Sequence, residues 1–173
     1  MDSTIPIPGG TGNFTGVSVA LSADGANVAF AGMGAGGGVA GYYALLDGAL
    51  ERIVDRTTLA PDGSFFNDFS IGVAISGRSV LFGAATSATA TSMYVWRDGA
   101  ISRVIGWGDH LGTGDVLSFF IGPESIDGDT VAFSVRYTDQ TTWALYTATI
   151  PAPASLALLA GGGLCAARRR RGG

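Results

Sequence analysis

The single histidine of this 173-residue chain, His110, lies next to Asp109 in the segment formed by residues 106–112. An imidazole beside a carboxylate could act as a general base. However, the sequence offers no Ser/His/Asp set that can be assembled by spacing, and it contains no Gly-x-Ser-x-Gly elbow. We therefore interpret His110 as a structural or solvated loop residue, and we predict no catalytic residue and no enzymatic activity.

Two pairs of aspartates could in principle ligate calcium, namely Asp127 with Asp129 and Asp62 with Asp68. Neither pair has the regular spacing and the closing glutamate of an EF-hand loop, so we interpret them as turn-forming residues and predict no metal site. The glycine-rich segment 32–38 opens no helix and follows no βαβ pattern. It predicts a loop between two strands and no bound phosphate or other cofactor.

The aromatic residues could form a sugar-stacking surface, with Trp96, Trp107 and Trp143 as its largest members. Tyr43, Tyr94 and Trp96 fall on strand positions, where packing in the core is the usual role. Together with the Asp-His pair above, the tryptophans are the only candidates for a glycan-binding or glycan-acting site. That function remains an alternative hypothesis.

The composition predicts one exported globular domain. The chain is long enough to bury a core, has 28 glycines and carries a formal net charge of -4. Four of its ten basic residues lie at the extreme C-terminus, so the remaining six arginines face fourteen acidic residues and the body carries -8. Nucleic acid is therefore not an expected partner. The lone cysteine, Cys165, excludes an internal disulfide.

Two sequence patterns recur with a period near 51 residues. The segment 21–30 matches residues 75–82 and 126–133, and the segment 43–54 aligns without a gap on residues 94–105. Residues 143–150 give a weaker third copy of the second pattern. Each repeat is expected to contain four short strands, because Asp-Gly pairs at 24–25, 47–48 and 98–99 separate β-branched and aromatic runs.

These repeats predict an all-β fold of antiparallel four-stranded blades, about three in number, that form a partial β-propeller. We expect an inter-blade loop in residues 1–16 and blades in residues 17–70, 71–121 and 122–150. The period is like that of kelch repeats, and the Ser-x-Asp-Gly…Val-Ala-Phe…Tyr pattern resembles the TolB-type propeller repeat. A stacked β-sandwich or a solenoid of antiparallel sheets fits the same pattern.

Three blades are too few to close a ring, since propellers have about four to eight. The alternatives are an open arc, a ring completed by another chain, or a C-terminal piece of a longer protein. Residues 1–10 lack the basic start and apolar stretch of a secretory signal peptide. They also resemble part of an inter-repeat loop, so we expect a C-terminal piece whose N-terminal part and export signal lie upstream.

The C-terminal segment 151–173 has three parts in a fixed order: a proline motif, an apolar run and a basic cluster. The proline motif is Pro151, Ala152 and Pro153. Residues 150–167 are uncharged and as a helix would span roughly 27 Å, close to the bilayer's apolar thickness of about 30 Å. We predict a membrane helix over residues 154–167. The basic cluster, which would stay on the cytoplasmic side, consists of Arg168, Arg169, Arg170 and Arg171.

This order closely resembles the PEP-CTERM sorting signal of Gram-negative bacteria that make extracellular polysaccharide. The resemblance implies processing near the proline motif by an exosortase, a membrane-embedded cysteine protease or transpeptidase. In that family the motif usually reads Pro-Glu-Pro, whereas this chain has Ala152 in place of the glutamate. We expect a transient inner-membrane stage with the body outside. The mature protein would then have a structural or interaction role at the cell surface or in the extracellular matrix, with polysaccharide as a possible partner.

Overall fold

The computed structural model describes residues 4–35, 39–88 and 90–150, and these residues form thirteen β-strands in antiparallel sheets. The predicted all-β class is therefore confirmed. The four strands predicted for the first repeat are all present, each running to the same turn and somewhat longer than expected. The sorting motif at 151–153, the predicted membrane helix 154–167 and the arginine cluster lie outside the described residues.

The strands follow one another through three consecutive sheets, each built from neighbouring strands in the chain. The first sheet contains β1 (Gly16–Asp24), β2 (Asn27–Met33), β3 (Val39–Leu46) and β4 (Ala49–Asp55). The second contains β5 (Phe66–Ser76), β6 (Ser79–Thr86), β7 (Ser92–Arg97) and β8 (Ala100–Gly106). The third contains β9 (His110–Leu111), β10 (Gly114–Phe120), β11 (Ile126–Asp127), β12 (Thr130–Tyr137) and β13 (Trp143–Thr149).

Asp-Gly turns set the register of the hairpins. Asp47 and Gly48 have φ values of 51° and 84°, and Asp98 and Gly99 have 49° and 85°. Two consecutive left-handed residues match the twist of the flanking strands, which is why Asp-Gly is a strong hairpin signal. The prediction of hairpins at these two positions is therefore confirmed.

The third sheet differs from the regular four-stranded pattern. Its first strand position is divided between β10 and β11, which pair with different parts of β12. The interruption contains Gly122 and Pro123, and the Gly122 carbonyl accepts a hydrogen bond from the Ser125 N–H. Proline has no N–H to donate to a ladder, so the strand breaks into a turn there. In the described part of this sheet, β13 is an edge that pairs with β12 alone.

The sheets pack face to face and enclose two large apolar clusters. The first lies between sheets one and two and joins side chains such as Ala29, Ala31 and Tyr42 to Val80 and Phe82. The second lies between sheets two and three and includes Leu81, Met93, Val131, Phe133 and Val135. Because successive side chains of a strand point to opposite faces, β6 contributes Val80 and Phe82 to one cluster and Leu81 to the other.

Each sheet carries one phenylalanine opposite one tyrosine, in β2/β3, β6/β7 and β12/β13. The pairs are Phe30 with Tyr43, Phe82 with Tyr94, and Phe133 with Tyr146. Their ring centroids lie 6.0, 5.7 and 6.1 Å apart. Cross-strand aromatic pairs stabilise a sheet beyond the apolar area that they bury.

A third aromatic ring covers the pair in each of the first two sheets. The Phe14 ring lies 4.8 Å from the Tyr43 ring in an edge-on arrangement. The Phe66 ring lies 5.0 Å from the Tyr94 ring, also edge-on. The same three-ring unit is therefore built twice: its third ring is supplied by Phe14, just before β1, and by Phe66, the first residue of β5.

Polar contacts join the hairpin ends of successive sheets. The Gly77 N–H donates to the Asp24 carboxylate at 2.7 Å, and the Gly128 N–H donates to the Ser76 hydroxyl at 3.0 Å. The Arg97 guanidinium pairs with Asp129 at 2.7 Å. In addition, one exposed arginine of the second sheet binds three carboxylates at 2.7–3.3 Å, and these contacts join Arg78 to Asp47, Glu51 and Asp98. Exposed ion pairs each add little stability, so these contacts mainly fix orientation.

We predict that Phe82→Ala destabilises the protein by about 3–5 kcal/mol, because the fully buried ring would leave a cavity between the first two sheets. The control is Phe65→Ala, since Phe65 is 53% exposed and should change stability by less than about 0.5–1 kcal/mol. Urea unfolding followed by intrinsic fluorescence measures both changes. Equal losses in the two variants would contradict the assignment of Phe82 to the core.

Candidate functional site

One concave site of the described residues lies where the first strands of the sheets converge. It is a cavity of about 310 Å³, lined by residues 18–21 of β1, by Phe69, Gly72 and Val73 of β5, and by Ile121 and Pro123. Its volume is at the lower end of the range of about 300–1,000 Å³ that is usual for ligand pockets. Sequence reasoning missed this site, because its residues come from three repeats and carry no motif.

Gly72 allows the close approach of the strands at this cavity. A Cβ atom on Gly72 would lie 2.8 Å from the Ile121 carbonyl oxygen, which is too short for any real contact. The Ser22 hydroxyl fixes the same region, because it accepts from the Ile75 N–H at 3.2 Å and donates to the Pro123 carbonyl at 2.9 Å. One serine thereby connects parts of all three repeats.

The lining of this cavity contains no ionisable side chain among the described residues. General acid–base chemistry requires a titratable group within hydrogen-bond reach of the reacting atom. The surface of the cavity thus consists of apolar side chains, one serine and backbone groups.

The Asp-His pair predicted as a possible general base is divided between two separate contacts. The His110 imidazole Nδ1 lies 2.9 Å from the Asp115 carboxylate, and both side chains are exposed. The Asp109 carboxylate instead accepts from the Arg103 guanidinium at 2.9 Å and from the Gly106 N–H at 2.8 Å. Burial opposes ionisation of Asp109, but these two donors lower its pKa overall. Asp109 thus anchors the turn after β8.

The first repeat contains a matching arginine–carboxylate contact. The Arg52 guanidinium binds the Asp55 carboxylate at 3.0 Å and also donates to the Gly9 carbonyl. Asp55 further accepts hydrogen bonds from Thr57 and Thr58. Arg52 and Arg103 occupy the same position in the 51-residue repeat, but their carboxylate partners do not. We call these two contacts the carboxylate clamps; the first lies at the end of β4 and the second after β8.

The surroundings of the first clamp shift the pKa values of Asp55 and Tyr43 in opposite directions. Burial disfavours the charge on Asp55, but hydrogen bonds from Thr57, Arg52 and Thr58 outweigh it and lower the Asp55 pKa. The neighbouring Tyr43 hydroxyl has the opposite shift: burial, followed by the nearby Asp55 charge, raises its pKa to about 12. At neutral pH the clamp therefore contains an ionised carboxylate and a neutral phenol.

The three tryptophans lie in different environments. Trp96 is buried in the first apolar cluster, as its strand position predicted, and so are Tyr94 in that cluster and Tyr43 beside Phe14. Trp107 is 44% exposed and Trp143 is 52% exposed. The sequence thus identified the packed aromatic residues correctly.

An exposed aromatic platform, formed by Phe120, Trp143 and Arg136, lies on the third sheet. The two rings are 5.5 Å apart with an interplanar angle of 35°, and the Arg136 guanidinium lies 5.7 Å from the centre of the Trp143 ring. The sequence analysis missed Phe120 and Arg136. The available signal was the adjacent pair Phe119 and Phe120, because strand alternation turns one of two neighbouring residues outward.

The aspartates considered as calcium ligands do not converge. Asp62 accepts hydrogen bonds from the Ser64 N–H and hydroxyl at 2.9 and 2.6 Å, which is an Asx-type turn. Asp129 pairs with Arg97, as described above. Within the described parts of the chain, no three His, Cys, Asp or Glu side chains are grouped so that they could hold a metal ion.

Part of the glycine-rich segment also falls outside the described residues, namely positions 36–38. Gly32 belongs to β2, and a Cβ atom there would meet the Phe14 and Tyr43 rings at 2.4 and 2.7 Å. This glycine therefore makes room for the three-ring unit of the first sheet. In residues 4–35, 39–88 and 90–150, no helix has the length and apolar character needed to cross a bilayer.

Comparison with known proteins gives no relative: no protein-family model, curated protein or solved structure matches this chain.

We predict that the clamp at Asp55 makes stability depend on pH in the acid range. The folded-state pKa is lowered, so its contribution is complete above the usual aspartate value of about 3.9 and is lost as the pH falls through the folded-state value. Asp55→Asn should lower the free energy of unfolding by roughly 1–3 kcal/mol at pH 7 and flatten its decline below pH 4.

Denaturant unfolding at a series of pH values measures this effect. Asp127→Asn is the matched control, because Asp127 is exposed and the change should alter stability by less than about 0.5 kcal/mol. If Asp55→Asn left both the stability at pH 7 and the acid slope unchanged, the clamp would have no role in holding the fold.

Proposed function

We propose that this chain is an exported, non-enzymatic protein that is delivered through the inner membrane, processed near Pro151-Ala152-Pro153 and displayed at the cell surface or in the extracellular matrix. The sequence of the C-terminal segment supports the delivery route: a proline motif, the uncharged run 154–167 and four arginines at 168–171. An exosortase is the proposed processing partner, with the membrane as a transient one.

The proposed architecture of the body is a partial β-propeller of about three blades. Three features support it: the sheets follow one another in chain order, they pack face to face, and their first strands lie side by side around the 310 Å³ cavity. The third sheet has an edge at β13 in the described residues. The alternative proposal, a C-terminal part of a longer propeller protein, is supported by the same sheets and by the exposed apolar face of the first one.

A structural or interaction role is the function that the geometry supports best. One observation carries this proposal. Each sheet packs one apolar face against the next sheet, and the first sheet has such a face that is still exposed. Stacked repeats of this kind provide extended surfaces for binding. The carboxylates of Asp55 and Asp109 bind arginines that hold turns, which is a structural use of these groups.

Export is tested by placing an epitope in the exposed turn at residues 61–63 and expressing the chain, behind a working export leader, in a bacterium that contains an exosortase. We expect the epitope to become accessible on intact cells and the chain to shorten by about the length of segment 151–173. Replacing the four arginines by glutamine is the matched variant and should reduce shortening. Retention of the full-length chain inside the cytoplasm would overturn the proposal.

Glycan binding is a second candidate, because the exposed platform of Phe120, Trp143 and Arg136 supports it. An exposed ring with a cation beside it provides both an apolar surface and polar groups, which is how aromatic residues commonly bind amphipathic ligands such as sugars. The platform lies on an exposed sheet face, so a polysaccharide chain could reach it. Extracellular polysaccharide is the proposed ligand.

Trp143→Ala should weaken binding of the intact chain to the host's extracellular polysaccharide by about tenfold or more, since removing a stacking ring costs on the order of 1–3 kcal/mol in comparable platforms. Trp107→Ala is the control, because Trp107 is similarly exposed but belongs to the turn after β8. Affinity electrophoresis in polysaccharide-containing gels measures both. Equal retardation of the wild type and the Trp143 variant would remove the platform as a glycan site.

A further inference from the structure

The first sheet has an apolar face that the described residues of this chain cover only in part: Ile7 and Phe14 bury Phe30 and Tyr43, whereas Val17, Leu21 and Leu45 stay exposed. We call it the open face; it surrounds a groove of about 550 Å³ lined by Ile5, Val17, Leu21, Val28, Phe30, Leu45 and Leu50. Every side chain of this lining is apolar. Contiguous exposed apolar surface of this kind marks a site of association.

The repeat shows what such a face is built to contact. Leu21 and Leu45 are 55% and 37% exposed, whereas the residues at the same positions of the second sheet, Val73 and Trp96, are 3% and 6% exposed. The difference arises because the first sheet covers Val73 and Trp96. The open face of the first sheet therefore corresponds to the face of the second sheet that is buried against the first.

The third sheet also has an exposed face, on the side that does not pack against the second sheet. We call this the far face; it includes Ala132, Ser134, Leu145 and Thr147 on β12 and β13. The platform of Phe120, Trp143 and Arg136 lies on the same face, so a partner on the far face and a glycan on the platform would compete. Strand register places Leu145 where the second sheet has Met93 and the first sheet has Tyr42, and both of those residues are fully buried at the junction with the next sheet. Leu145 itself is 76% exposed.

The far face resembles the covering face of the first sheet at two positions. Where the first sheet covers the second, its β2 strand presents Ala29 and Ala31 to the aromatic pair. The far face presents Ala132 and Ser134 at these positions, whereas the second sheet has Leu81 and Gly83 there. The aromatic pair of the first sheet, Phe30 and Tyr43, is buried beside Phe14, so the exposed part of the open face consists of its aliphatic side chains.

The donor and the acceptor of the hydrogen bond between successive hairpins are also found on the two outer sheets. At the internal junctions a side-chain oxygen, on Asp24 or Ser76, accepts from the N–H of a glycine in the next sheet. Strand register puts Asp127 at the same position as these acceptors and Gly25 at the same position as the donors. The far face thus ends in an acceptor and the open face begins with a donor.

We propose that a second copy of this chain covers the open face with the far face of its own third sheet. The contact continues the stacking of the internal junctions: the far face covers Leu21 and Leu45 of the open face, and the Gly25 N–H donates to Asp127 of the other copy. Because the two faces differ, the association is head-to-tail, and two such contacts can close a dimer with six sheets around a two-fold axis. The closed dimer rests on the proposed blade architecture. The contact between the two faces does not, and neither depends on the proposed export.

The test measures the mass of the purified full chain in detergent micelles, which solvate the apolar C-terminal run. Analytical ultracentrifugation at micromolar concentration should give a dimer. Leu45→Asp on the open face and Leu145→Asp on the far face should each weaken association by about tenfold or more, because each buries a charge at the contact. The control is Leu59→Asp, since Leu59 is 54% exposed in the loop before β5 and belongs to neither face. Circular dichroism checks that all variants stay folded.

Mixing the two interface variants distinguishes this contact from a symmetric one. A Leu45→Asp copy keeps its far face, and a Leu145→Asp copy keeps its open face, so the mixture retains one intact junction and should recover dimers that neither variant forms alone. A monomeric wild type would overturn the proposal, and the open face would then be left to a further repeat of a longer polypeptide. Association that is insensitive to both variants, or that mixing does not restore, would also overturn it.

Discussion

The packing of the aromatic pair of the second sheet against small side chains of the first sheet is the interaction on which the rest of this structure depends. Phe82 and Tyr94 belong to the same cluster as Ala29, Ala31 and Ala44. A pair of rings needs a neighbour that is flat and apolar, and alanines on two adjacent strands supply one. Once this contact is made, the direction of stacking is defined, because each sheet has one aromatic face and one face that receives the next pair.

Several other features follow from this packing scheme. The first strands of the sheets lie side by side, which creates the cavity between β1, β5 and the turn at Pro123. The turns that follow β4 and β8 must return the chain to the next first strand, and the arginine–carboxylate contacts at Asp55 and Asp109 hold these turns. The polar residues that might suggest catalysis therefore act as supports for the stack.

Sequence alone predicted the elements of the fold well because the relevant signals are local. The Asp-Gly turns and the β-branched and aromatic runs of the 51-residue repeat each depend on neighbouring residues. The split of β10 from β11 was missed, although Gly122 and Pro123 were visible, because a proline can also end a strand. The cavity and the platform of Phe120 with Arg136 were missed because their members come together only through packing across sheets. The C-terminal segment carries the strongest sequence pattern and is the basis of the proposed route of export.

The central claim is that small residues on the first sheet accommodate the aromatic pair of the second. It is tested most directly by comparing the free energies of unfolding of Ala29→Leu and Ala132→Leu. Ala29 is fully buried at the first junction, whereas Ala132 occupies the same position on the far face. In monomeric conditions, Ala29→Leu should lose about 1–3 kcal/mol through overpacking, and Ala132→Leu should change by less than about 0.5 kcal/mol. Equal effects of the two substitutions would contradict the account.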